Sequence, residues 1–205
     1  MISAMLERSK FLPECANNYL APQLDALIQL FKEFEEDGPS LFERKTLKRG
    51  EYLLKEGMIS SNTWFLEEGA ARLFLYKDGT ELTGDFFFPY EFVDSYGCSA
   101  LQIPSKVNIQ LICDSVVCLI DWNNVRDLQH KYVILSEIEK IIAACNVLWL
   151  EERVYSLQSL NAQERYLQLL DRQPHLVQQI PLTYIASFLG ISLETLSRIR
   201  TRQKF

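Results

Sequence analysis

The chain changes its hydrophobic rhythm twice. Over residues 4–36 apolar side chains recur at helical spacing, with Leu20, Leu24, Leu27, Ile28 and Phe31 on one stripe. Pro22 suits a first helical turn, and Gly38-Pro39 breaks the pattern. From about residue 45 to 120 the texture is that of short strands, and six of the eight glycines fall here. Tyr52 to Leu54, Thr63 to Leu66, Ala71 to Tyr76, Leu82 to Phe88, Val107 to Ile112 and Val116 to Ile120 are rich in aromatic and branched residues. Lys77-Asp78-Gly79-Thr80 predicts a tight hairpin, because Asp-Gly accepts positive φ angles. Val107, Ile109 and Leu111 alternate with Asn108 and Gln110, which predicts one wetter face. Many short strands separated by glycine turns predict a β-roll.

From Trp122 the period becomes helical. Positions 134, 135, 138, 141, 142, 145, 148 and 149 are apolar or cysteine and span an arc of roughly 140° on a helical wheel. That arc is wide enough to pack on its own domain and on a second copy, so a dimer helix is expected, with Leu135, Ile138, Ile142, Cys145 and Trp149 at the interface. An ordinary buried helix is the alternative. A further helix carries Tyr166, Leu167, Leu169 and Leu170 and ends at Asp171-Arg172-Gln173-Pro174.

Residues 182–200, LTYIASFLGISLETLSRIR, fit a helix-turn-helix. Ala186 is small enough for a close helix crossing, and Gly190 accepts a left-handed turn. Ile185, Leu189, Ile191, Leu196 and Ile199 supply the apolar contact between the two helices. Ser192 is the expected N-cap of the second helix and Thr183 that of the first. The second helix then turns Glu194, Thr195, Ser197 and Arg198 away from the contact. Glutamate can accept from a cytosine amino group, and arginine can donate twice to guanine. Hydroxyls suit phosphates or bases, and Arg200 and Arg202 follow as phosphate partners.

Charge and composition sharpen this picture. The 205 residues have a net charge of −6, which taken whole argues against nucleic acid. The distribution argues for it: residues 1–40 carry seven acids against three bases, whereas residues 180–205 carry four bases against one acid. His130 and His175 lie 45 residues apart, which disfavours a histidine-rich metal enzyme. The five cysteines, Cys15, Cys98, Cys113, Cys118 and Cys145, show no C-x-x-C pair, so reduced thiols are expected. No apolar run reaches the roughly 18 residues of a membrane span, and the first residues lack a secretory core, so a cytoplasmic protein is expected.

In order and motif the chain resembles the Crp–Fnr family of bacterial transcription regulators. Gly50-Glu51-Tyr52-Leu53-Leu54-Lys55-Glu56-Gly57, Trp64 to Arg72 and Asp78-Gly79-Thr80-Glu81 resemble that family's roll, and Glu194-Thr195-Leu196-Ser197-Arg198 is similar to its Fnr-type recognition helix. The resemblance implies an α+β chain: an effector domain over 1–121 with a double-stranded jelly roll, a dimerisation helix over 122–157, and a winged helix-turn-helix over 158–205. It implies a homodimer that reads inverted TTGA-like half-sites in double-stranded DNA through Glu194, Ser197 and Arg198, working with RNA polymerase.

The effector pocket departs from the family. Members that bind cyclic AMP use a Gly-Glu pair and an Arg-Ser pair. Here the matching residues are Val93 and Asp94, followed by Ser95, and then Ser105 and Lys106. Lys106 offers a point charge where a two-pronged guanidinium is needed, so cyclic AMP is not expected. The Fnr iron–sulfur ligands are missing, and neither histidine lies in the roll to hold haem. Phe86, Cys145 and Trp149 join these residues as candidate lining. Either the pocket takes an unknown, more apolar ligand or the roll is an effector-free scaffold. A sensing or protein-interaction module without DNA binding is the alternative function. An enzyme is disfavoured for lack of a ligand triad or a nucleophile–base pair.

Overall fold

The computed structural model describes residues 40–172 and 174–202, with isolated positions 29, 32, 34, 36 and 38. The helices expected over residues 4–36, and Cys15, lie outside the described residues apart from those positions. So do the side chains of Ile138, Ile142 and Cys145.

From residue 40 onwards the described residues form eight strands: β1 (Phe42–Leu47), β2 (Tyr52–Leu54), β3 (Asn62–Glu68), β4 (Ala71–Lys77), β5 (Thr80–Phe87), β6 (Phe92–Val93), β7 (Asn108–Leu111) and β8 (Ser115–Asp121). A short helix α1 (Tyr96–Leu101) sits between β6 and β7. The strands form two four-stranded sheets, in the orders β1-β8-β3-β6 and β2-β7-β4-β5, with every pairing antiparallel. Leu53, Leu54, Leu66, Ala71, Val93, Ile109, Leu111 and Val117 pack together as the core of this roll. At the β4–β5 hairpin Asp78 and Gly79 take φ values of 52° and 76°, the positive angles that such a turn demands.

Two strands differ from the sequence pattern. β1 carries Glu43, Arg44 and Lys45 and reads as polar, yet it pairs with β8 as an edge strand, where charge is tolerated. β6 is two residues long, below the length at which alternation is visible. Asn108 is also not on a wet face. It is buried, and its side-chain oxygen accepts from the backbone N–H of Glu56 at 3.0 Å.

The helices follow: α2 (Trp122–Gln129), α3 (Ile134–Ser159), α4 (Ala162–Arg172), α5 (Pro174–Val177), α6 (Leu182–Leu189) and α7 (Leu193–Arg202). The Asp121 carboxylate accepts from Asn123 N–H and caps α2. α3, 26 residues long, leaves the roll and runs towards the C-terminal helices. Leu135 is not placed to meet a second copy. At 1% exposure it packs beside Phe65, Ile120, Trp122 and Val125 in a second core, under the first sheet.

The third core joins the two halves of the chain. Tyr166, Leu169, Val177, Ile180, Ile185, Leu189, Leu196 and Ile199 pack with Ala70, Phe86 and Phe88 of the roll. Burial of each of those two phenylalanines contributes about 1.5–3 kcal/mol to holding the helices on the roll. No strand flanks α6 and α7 among the described residues, so the wing implied by the resemblance is not seen there.

Candidate nucleic-acid interface and cavity

The helix-turn-helix is built by local chemistry. Gly190 ends α6 at φ 68°, ψ 34°, and this left-handed step sends its N–H to Ser187 O and that of Ile191 to Ala186 O. Ser192 Oγ accepts from Thr195 N–H at 3.2 Å and caps α7 as expected. Thr183 is not a cap: α6 begins at Leu182 after Pro181, which leaves Thr183 exposed within the first turn. Leu196 and Ile199 are buried, whereas Glu194, Ser197, Arg198, Arg200 and Arg202 are exposed on the other side of α7. Glu194 lies in the first turn and Arg200 and Arg202 in the last, each favourable to the helix dipole. The Thr195 hydroxyl meets that of Ser192 at 3.1 Å and accepts from Arg198 Nη2 at 3.3 Å, so it orients the guanidinium.

Four arginines that the motif did not single out fasten this unit to the rest of the chain. Arg165 donates to Leu160 O and Leu189 O, bracing α4 against the end of α6. Arg153 of α3 donates to Phe188 O at 2.6 Å and stacks 3.9 Å from that ring. Arg72 of β4 is 1% exposed, lies between the rings of Phe74 and Tyr184, and donates to Glu81 at 2.6 Å. Arg172 of α4 reaches Asp85 Oδ1 at 3.3 Å, and Phe86 O and both Glu91 carboxylate oxygens at 3.1 Å. The Ser187 hydroxyl accepts from Thr83 N–H at 2.9 Å, closing α6 onto β5.

These contacts shift titrations. Burial pushes the Asp85 carboxyl up to about 6, with Glu91 adding to the effect and Arg172 opposing it. Burial alone would lower Arg172, but Glu91 and Asp85 overrule it and hold the guanidinium above its ordinary value. Burial also raises Asp94, against the hydroxyls of Thr63 and Ser99 that donate to it at 2.8 and 2.9 Å.

Between the roll, α3 and α4 lies a cavity of about 520 Å³. Of the expected lining residues it includes Asp94, Ser95 and Trp149. Phe86, Val93, Ser105 and Lys106 do not line it. Phe86 belongs to the core shared with α4–α7, and Val93 to the roll core. Ser105 is buried and donates to Val107 O, and Lys106 is exposed. The rest of the lining is Leu73, Gly84, Asp85, Phe87, Glu91, Phe92, Tyr96, Val107, Asn146, Leu150, Glu152 and Arg172. Strand alternation explains part of this: Phe86 and Phe88 face the helices, so Phe87 faces the cavity.

α3 also exposes an apolar row. Val147, Leu150, Val154 and Leu157 are each about half exposed or more, and they recur at spacings of three and four. That is the a/d pattern of a two-helix seam, displaced towards the C-terminal half of α3 from the interface expected. The signal was present in the sequence, but it is readable only once Leu135 is known to face inward.

Comparison with known proteins agrees with this architecture. The cyclic nucleotide-binding domain family matches residues 44–132. No curated protein matches the chain by sequence. Among solved structures, FixK2 from Bradyrhizobium japonicum is similar at a TM-score of 0.66 and 20% identity, covering 80% of this chain and 84% of that one. A CooA variant from Carboxydothermus hydrogenoformans matches at 0.62 and 15%, covering 84% and 83%. A protein from Eubacterium rectale assigned to the crp/fnr family of transcriptional regulators matches at 0.62 and 15%, covering 93% and 86%. The resemblance read from the motifs is thus upheld at the level of fold: residues 44–132 match the cyclic nucleotide-binding domain family, and the chain has the fold of these solved structures, one of them assigned to the crp/fnr family.

Proposed function

We propose that the chain is a sequence-specific, DNA-binding transcription regulator that acts as a homodimer in the cytoplasm. One observation carries the reading. The α7 side chains with base-reading chemistry, Glu194, Ser197 and Arg198, are exposed together, while the apolar side chains of α7 hold it to α6. Arg198, oriented by Thr195, is assigned to a guanine, and Arg200 and Arg202 to phosphates. The row Val147, Leu150, Val154 and Leu157 is assigned to the seam with a second copy, which would set two α7 helices against inverted half-sites about one helical turn apart. The domain limits of 121 and 157 are kept as part of this proposal, with the roll as the sensing half and the cavity as its ligand site. Cyclic AMP is not the assigned ligand, because no arginine stands at the Ser105 position.

The test is selection from random duplex DNA by the purified chain, followed by sequencing, at several salt concentrations because phosphate contacts weaken steeply with salt. An enriched inverted repeat supports the reading. No enrichment at any salt, with or without cell extract, overturns it and leaves a sensing module without DNA contact.

A further inference from the structure

The cavity between the roll and α3 has walls of two kinds. Leu73, Phe87, Phe92, Val107, Trp149 and Leu150 give it an apolar body. Its charged lining is Asp85, Glu91, Asp94 and Glu152 against one guanidinium, that of Arg172. That guanidinium is already committed to Asp85 and to both oxygens of Glu91. An anion entering here would lose its hydration beside carboxylates and find no free cationic donor. A cation would gain at the same place. A second polar feature points the same way, towards an occupant: the side-chain nitrogen of Asn146, also in the lining, is shut off from solvent and has no hydrogen-bond partner in the structure. Rotation of that amide towards the cavity would let it donate to an acceptor on a bound molecule.

We propose that this cavity binds an organic cation, an amine or amidine on an apolar, ring-sized body with an acceptor for Asn146, whose charge seats against Asp85 and Glu91 in place of Arg172. The inference rests on the proposed reading of the roll as the sensing half of a regulator, and it names the ligand class of that site. It also supplies a coupling. Arg172 closes α4, the helix that leads into the helix-turn-helix. A ligand that takes its carboxylates therefore loosens the attachment of α4–α7 to β5, and shifts the population towards whichever arrangement of the helices lacks that ion pair.

The test uses the full chain without DNA and two dyes with the same fluorophore and opposite charge: dansylcadaverine, a primary amine, and a dansyl carboxylate of matched length. The amine is expected to brighten saturably, with energy transfer from tryptophan, and to bind at least about tenfold more tightly than the carboxylate. Cyclic AMP is expected not to displace it. Glu91→Gln and Glu152→Gln are expected to weaken the amine several-fold. Glu152 is exposed, so its variant gives an answer even if Glu91→Gln fails to fold. Equal or tighter binding of the carboxylate, displacement by cyclic AMP, unchanged affinity in Glu152→Gln, or no brightening with either dye overturns the proposal. DNA selection on the same preparation separates the two readings. Enrichment without amine binding removes only the ligand assignment, and amine binding without enrichment removes only the regulator.

Discussion

The DNA-reading unit and the cavity are made in opposite ways. The helix-turn-helix occupies one continuous stretch, and each part of it answers to a neighbour a few residues away: Gly190 to Ala186 and Ser187, Ser192 to Thr195, Thr195 to Arg198. The cavity draws on residues 73, 84–96, 107, 146–152 and 172, brought together only by the closure of the roll and the return of α4 against it. A site of the first kind can be read from spacing. A site of the second kind can be read only from topology.

The comparison can be broken, and the largest effect should come from the helix-turn-helix core. Leu196→Ala removes a fully buried side chain and is expected to cost about 2–5 kcal/mol in denaturant unfolding, with loss of DNA binding. A cost near zero would mean that α7 is held by something other than its contact with α6.

Asp85 tests the cavity side through pH. Its carboxyl is raised in the folded chain from 3.8 to about 6, so the folded state binds the extra proton between those values. Stability contributed by this group is therefore full at low pH and falls as pH rises to about 6. Asp94 is shifted in the same direction and adds to the slope. Asp85→Asn should gain stability relative to the unaltered chain between pH 4 and pH 7, by something on the order of 3 kcal/mol. A relative loss over that interval, in melts at several pH values, would show that the Arg172 ion pair outweighs burial.

The assignment of roles on α7 can be sharpened by two substitutions. Arg198→Ala is expected to cost about 1–3 kcal/mol and to relax selectivity at a single base pair. Arg202→Ala should weaken every sequence alike and lower the salt dependence by about one phosphate contact. Equal effects from the two would undo the division into base and phosphate partners. The smallest change is Gly190→Ala, expected to cost about 1 kcal/mol through the left-handed backbone alone, because a Cβ there meets no atom within 4 Å.

What the sequence disclosed follows the same division. The hairpin at Asp78-Gly79 and the strands around it were legible because their signals are local. So was the exposed set on α7. β1 was not, since an edge strand bearing Glu43, Arg44 and Lys45 has the composition of a loop. The run Phe86-Phe87-Phe88 announced burial without saying where, and the structure sends its alternate members to two different places. On α3 the apolar positions wind nearly round the helix, so the choice of inner and outer face depended on where the sheet lay. Arg153, Arg165 and Arg172 carry no local signal of their roles. Their partners are backbone carbonyls and carboxylates as much as 87 residues away.

Arg72 gives the boundary between the two regions a particular temper. Its guanidinium is flattened between Phe74 and Tyr184, yet Nε and Nη1 are buried and find no hydrogen-bond partner in the structure. Stacking recovers some of what that enclosure costs, but not the hydration of two donors. Parting Tyr184 from β4 would return those donors to solvent, so the seam is self-limiting: it grips well enough to define one arrangement and carries within it a reason to let go.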